Sequence, residues 1–179
     1  MFLAFVIDVF SRMILGWQLA TRMRSDLVLD ALGMALRTRQ PGADFTLVAH
    51  TDQGSLYTAE DYTQVLDDHR VLASVGSVRD CYDNAPSESF AVSYKTELIS
   101  DRVWRTNAQL ELQTVNYVGW FNHRRLHSSI GNRPPVEHER KYWTRVALGY
   151  EPLLAQAAPT ITDLRDVLTV ASPMSRSEQ

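Results

Sequence analysis

FLAFVIDVF (residues 2–10) and MILGWQLA (13–20), joined by Ser11-Arg12, decide how this sequence is read. The first stretch is almost continuously apolar and rich in β-branched and aromatic residues, as a strand buried on both faces would be. The short polar connection returns the chain as an antiparallel partner. The chain therefore opens with two paired strands. No leader is expected there, because no basic segment precedes the apolar run and Asp8 interrupts it early.

Working outward, Ser25 can cap a helix running to about Arg39, with Leu27, Ala31, Leu32 and Ala35 on one face and Pro41-Gly42 as the stop. FTLVAH (45–50) reads as a short central strand that delivers Asp52 to its C-terminal end. A helix over about 59–69 and a strand near 71–75 follow. GSVRDCYDNAPS (76–87) reads as a loop, and Pro86 as the first-turn residue of a helix through about Ile99. A long helix is expected over 107–126, a break at 131–135, and a last helix over 136–146. Strands, then strand–helix alternation, then helices describe an α/β mixed-sheet domain. Residues 1–145 form its body, and 146–179 a tail, partly irregular, whose one apolar patch is TDLRDVLTV.

The bulk numbers narrow the classes. At 179 residues and 45% hydrophobic, the chain can bury one ordinary core. The lone Cys81 excludes a disulfide scaffold, and no apolar run reaches the length of a membrane span. A cytoplasmic protein of a reducing compartment, without membrane partners, is expected. Net charge is −3 but unevenly placed: residues 1–87 carry seven basic and eleven acidic side chains, whereas 88–145 carry nine and six. An acidic half beside a basic helical region suits metal ions held next to a phosphate backbone, and it equally suits ordinary solvated faces.

Two carboxylates stand out. Asp52, in HTDQGSLY, lies just past a strand end, and Glu88, in DNAPSESF, lies near a helix start; thirty-five residues separate them. Acids brought together from a strand end and a helix start can hold divalent cations that keep open positions for phosphates. A turn residue and a helix N-terminal carboxylate are the ordinary alternative.

HTDQGSLYT, CYDNAPSESF, YKTEL and WFNHRRLHSSIGNRPPVE, in that order, resemble the integrase core of insertion-sequence transposases related to retroviral integrases, from about Phe2 to Tyr142. The resemblance implies a ribonuclease-H-like mixed sheet flanked by helices and a DDE chemistry in which Asp, Asp and Glu hold two Mg²⁺ or Mn²⁺. It also implies DNA transposition: cleavage at element ends and joining of the 3′-hydroxyl to a target. By position, Asp52 resembles the second Asp and Glu88 the Glu. The family's first Asp, on its first strand, would fall before Met1. Asp8 instead matches the non-catalytic acid of VIDVFSR, and could substitute only if the hairpin turned it inward. An N-terminally truncated core lacking its first strand and one ligand is thus expected, with residues 2–9 left beside an open edge. Whether such a chain is an enzyme stays open. A non-catalytic remnant binding DNA or a full-length transposase protomer is the alternative, ahead of a hydrolytic nuclease.

Other positions follow from the same comparison. Asn84 stands near the loop–helix junction, as a DNA contact or a cap. Lys95, two helical turns after Glu88, suits a phosphate or plain solvation. Arg124 and Arg125, within the densest basic cluster, suit a DNA-facing patch. DNA and a homo-oligomer are the implied partners. His123 and His127 share a helical spacing but no metal-site pattern. Trp17, Trp104, Trp120 and Trp143 are expected in the core.

Overall fold

The computed structural model describes residues 1–22, 25–39, 47–51, 60–75, 81–100, 102–150 and 167–175. Strands β1 (Phe2–Asp8) and β2 (Ile14–Ala20) form the expected antiparallel pair, from Phe2 opposite Ala20 to Ile7 opposite Ile14. Helix α1 (Ser25–Arg39), strand β3 (Val48–Thr51), helix α2 (Glu60–Asp68) and strand β4 (Leu72–Val75) follow, with β3 and β4 parallel. Then come helix α3 (Cys81–Tyr94), a π-helical turn (Lys95–Ile99), α4 (Asn107–His123), a short 3-10 turn (Ser128–Ile130), α5 (Pro135–Ala147) and strand β5 (Val167–Ser175).

The sheet order is β2-β1-β5-β3-β4. The central strand comes from the last part of the chain, antiparallel to β1 and parallel to β3. Residues 2–9 therefore do not border an open edge, contrary to expectation: β1 is hydrogen-bonded on both sides. The strand that begins with VLTV (167–170), inside the segment read as a tail, is what closes the gap. Its burial supplies the reason, since Leu168, Thr169 and Val170 are at most 1% exposed. Pro173 sits in this central strand because the register shifts there; two β5 residues face Ala4 alone, and β3 pairing has already ended at Val170. A missing N–H costs nothing where no ladder bond is due.

Strand alternation divides the core into two layers. Ala4, Val6, Leu15, Ala49, Leu168 and Val170 pack under α1 and α2. Leu3, Phe5, Ile7 and Ile14 face α3 and α4, through Phe90, Tyr94, Tyr117 and Phe121. Helix α1 approaches β2 very closely: a Cβ on Gly16 would lie 2.0 Å from the Ala31 carbonyl oxygen. On the other side, Asn122 accepts from the Ile14 N–H and donates to its carbonyl, each at 2.9 Å, satisfying groups of the outermost strand.

Three local expectations need correction. Residues 81–87 are helical, so α3 starts earlier than the loop reading and Pro86 lies inside it. The proline forfeits one bond, to the Tyr82 carbonyl, while its ring is buried between helix and sheet. Helix α4 ends at His123, because Arg124 and Arg125 both turn their N–H groups to the Trp120 carbonyl. Trp120 and Trp143 are exposed, not core. Each lies on the solvent side of an amphipathic helix, Trp120 against the Tyr117 ring and Trp143 donating to Glu139.

Candidate active site

Helix α3 is pinned to the sheet by Phe90, whose ring centroid lies 4.4 Å from that of Phe5, and to α4 by Tyr94, which donates to Thr114 at 2.7 Å. Thr114 in turn donates to Leu110, so the phenol proton points at the threonine. The opposite side of α3 faces solvent and carries Glu88, which is exposed. Lys95 is exposed as well, at the first residue of the π turn. Asn84 lies within α3 and not at a loop junction; its side chain is outside the described residues. Asp52 is also outside them, directly following Thr51, the last residue of β3.

The π turn and the end of α4 are tied by one ion pair. Arg125 donates to Glu97 at 2.9 Å and to Ser93 at 3.2 Å, and its guanidinium lies 5.4 Å from the Phe121 ring centroid. Partial burial opposes the charge on Glu97, but hydrogen bonds from Arg125 and Tyr117 outweigh it and hold the carboxyl below the usual range. Arg125 is thus anchored inward, whereas Arg124 is exposed. Arg125 also donates to His127 Nδ1 at 3.3 Å, which leaves Nε2–H to donate to the Phe121 carbonyl at 3.4 Å. Burial pushes the His127 pKa down, so the ring is a neutral structural element. His123 is exposed on the helix surface.

Asp8 is turned inward, but toward the wrong layer. It alternates with Ala4 and Val6, on the α1 side, and Glu88 rides on the helix covering the opposite face. Its carboxylate accepts from the Ser11 N–H at 2.6 Å and hydroxyl at 2.9 Å, and pairs with Arg39, which also binds Glu139. Burial pushes this carboxyl up, with Arg39 and Ser11 working against it. Asp8 is a fold anchor, joining β1, α1 and α5.

The donor chemistry of Asp52 and Glu88 is that of a hard-cation site, since Mg²⁺ and Mn²⁺ take carboxylate oxygens and keep waters. Among the described residues, no group of three or more His, Cys, Asp or Glu converges on one point. The strands on either side of β3, Val167–Ser175 and Leu72–Val75, contain no carboxylate at all. Sequence reading missed two features here. Thr169, which has a buried Oγ1 without a hydrogen-bond partner, occupies the central strand beside His50. Arg12 enters the α3 side from the β1–β2 turn. Only the apolar run around Leu168 signalled the first, and nothing in the sequence signalled the second.

The sequence matches two integrase-core family models, over residues 1–81 and 69–135. The chain belongs to the integrase-core family. It is 42% identical over 145 residues to the transposase for insertion sequence element IS629 of Shigella sonnei, covering 81% of this chain and 48% of that one. It is 36% identical over 143 residues to the transposase InsF for insertion sequence IS3A of Escherichia coli K12, covering 79% and 49%. The chain thus spans about half the length of the curated relatives it matches. A chain of the simian T-cell lymphotropic virus intasome, solved with the PP2A regulatory subunit B56 gamma, aligns with a TM-score of 0.60 at 16% identity, over 90% of this chain and 53% of that one. At that identity the likeness is one of fold.

Proposed function

We propose that this chain is the catalytic core of an insertion-sequence transposase, acting on DNA phosphodiesters in a divalent-metal-dependent cleavage and strand-transfer reaction. The observation that carries the reading is the match to insertion-sequence transposases across four fifths of the chain, spanning Asp52 and Glu88. It is supported by an acid, Glu88, left facing solvent on a helix otherwise fastened to the sheet. Asp52 and Glu88 would hold Mg²⁺ or Mn²⁺. When bound, such ions activate an attacking hydroxyl and stabilise a leaving oxygen at phosphorus. The chain's own work is then positional. Asn84, Lys95 and Arg124 would guide DNA toward the acids, while Arg125, held by Glu97, would set the shape of the basic segment. No helix among the described residues is long and apolar enough to cross a membrane. In this reading the chain would act in the cytoplasm, on DNA, in assemblies with further transposase copies.

The acid-free strands flanking β3 favour a second reading, a DNA- or transposase-binding core without chemistry. One assay separates the two. The chain is incubated with pre-cleaved element-end DNA, target DNA and Mn²⁺, and joined products and DNA binding are both measured. Joining that is lost in Asp52→Asn and in Glu88→Gln, with binding retained, is the expected result. Joining that survives either substitution overturns the site. Binding without joining in the unsubstituted chain establishes the second reading.

A further inference from the structure

The α3 layer contains a pocket of about 190 Å³ between the β1–β2 turn, helix α3 and the 3-10 turn, and its wall reaches Ser89, the residue after Glu88. Pro86 and Ser89, which bracket Glu88 on α3, form one wall; Phe90 and Phe121 form the floor; Arg12 and Ser129 close it from the other side. At roughly 30 Å³ per water, the space takes about six waters, or one phosphate group with its hydration.

Arg12 is the unusual member. It holds a left-handed backbone conformation, φ 65°, stabilised by its N–H bond to the Asp8 carbonyl at 2.8 Å. Its side chain lines the pocket on the α3 face, and the Asp8 carboxylate is bound by Arg39 and Ser11. The Arg12 Nε–H is buried and has no hydrogen-bond partner among the described residues. Burial pulls the Arg12 pKa down, with Asp8 opposing, so the surroundings tax its charge without neutralising it by contact. The neighbouring groups cannot answer it. Glu97 is taken by Arg125 and Tyr117, and both nitrogens of His127, a further wall residue, are already engaged. A guanidinium with a free buried donor lacks one thing, an anionic acceptor, and leaving it unmet is costly.

We propose that this pocket is a phosphate-binding subsite, in which the Arg12 guanidinium, with the Ser89 and Ser129 hydroxyls, grips a backbone phosphodiester of the DNA strand lying against Glu88. The identity of that strand rests on the transposase reading; the anion site itself rests on the geometry of Arg12. A phosphate held one helical turn or less from an acid would fix the register of the strand without reading its sequence.

The test uses the full chain, ¹⁵N-labelled, in EDTA, so that neither metal nor strand transfer is needed. Inorganic phosphate and a short single-stranded oligonucleotide are titrated separately while the Arg12 Nε–H resonance and, in every variant, the backbone amides of residues 12 and 129 are followed by NMR. A saturable shift with both probes is expected. Arg12→Gln should weaken both roughly tenfold or more, as loss of a charge-assisted bond implies. Arg12→Lys, which keeps charge but not the fork, should fall between. Ser129→Ala, on the exposed rim, should weaken binding without altering the thermal unfolding curve. No saturable shift, or undiminished binding in a folded Arg12→Gln, overturns the subsite. Binding of phosphate but not of the oligonucleotide overturns its assignment to DNA. Failure of strand transfer alone leaves it standing.

Discussion

Replacing Leu168 by alanine tests the central claim of the fold, that a strand from the end of the chain completes the middle of the sheet. Leu168 is fully buried, opposite Asp8 on β1 and Ala49 on β3, within the layer under α1 and α2. Its neighbours Ala4, Val6 and Ala49 are small and held in the sheet, so they cannot move in to fill the space. Truncating a leucine in such a site costs about 2–5 kcal/mol, and the rigid surroundings argue for the upper half. For a domain of this size each kcal/mol lowers Tm by about 2–4 °C, so a fall of at least about 6 °C is expected. Leu148, in the same C-terminal segment but 68% exposed, is the control. Its truncation should stay within about 0.5 kcal/mol. Urea denaturation followed by circular dichroism, with thermal melts alongside, measures both. Equal, small effects at the two leucines would refute the placement of β5.

Gly16→Ala should destabilise by about 3 kcal/mol or more in the same assay, because the added methyl meets backbone atoms Ala31 O at 2.0 Å and Ala35 N at 2.7 Å, which cannot rotate aside. Asn122→Ala leaves the Ile14 N–H and carbonyl without their side-chain partner and should cost about 2–3 kcal/mol; Asn122→Asp, which keeps the acceptor but sets a buried carboxylate oxygen against the Ile14 carbonyl, should cost at least as much at neutral pH. His127 sets a pH dependence. Its folded pKa lies below the unfolded value of about 6.5, so the unfolded chain binds more protons between the two. Stability should therefore be full above about 6.5 and fall as pH drops through the folded value. His127→Gln should flatten this limb, leaving the part due to His138, which burial also lowers. Identical slopes in both proteins would contradict the assignment.

Much of this protein is written locally. Residues 2–20 form strands because an unbroken β-branched run cannot satisfy itself as an amphipathic helix, and α1 runs from Ser25 to Arg39 because its apolar spacing and its stop signal agree. Other signals misled. Pro86 reads as a helix start, since prolines favour first turns, yet the backbone continues through it. Arg124 and Arg125 read as one basic patch, yet a helix that ends at His123 sends the first to solvent and the second onto Glu97.

The two acids, Asp52 and Glu88, were legible as a spacing and a text, although Glu88, read near a helix start, stands in the middle of α3. Which face Asp8 serves was not legible, because strand parity assigns a side chain to a face only once the helices covering each face are known. The position of residues 167–175 was further out of reach. A strand's place in a sheet depends on which neighbours offer unpaired backbone and apolar cover, and here those neighbours, β1 and β3, lie more than a hundred residues earlier. The amino-acid sequence by itself determined the class of fold and the family, and it singled out the pair of acids proposed as the site. Only the tertiary structure decided that residues 167–175 become the middle of the sheet, and that the buried Arg12 Nε–H is left without a hydrogen-bond partner among the described residues.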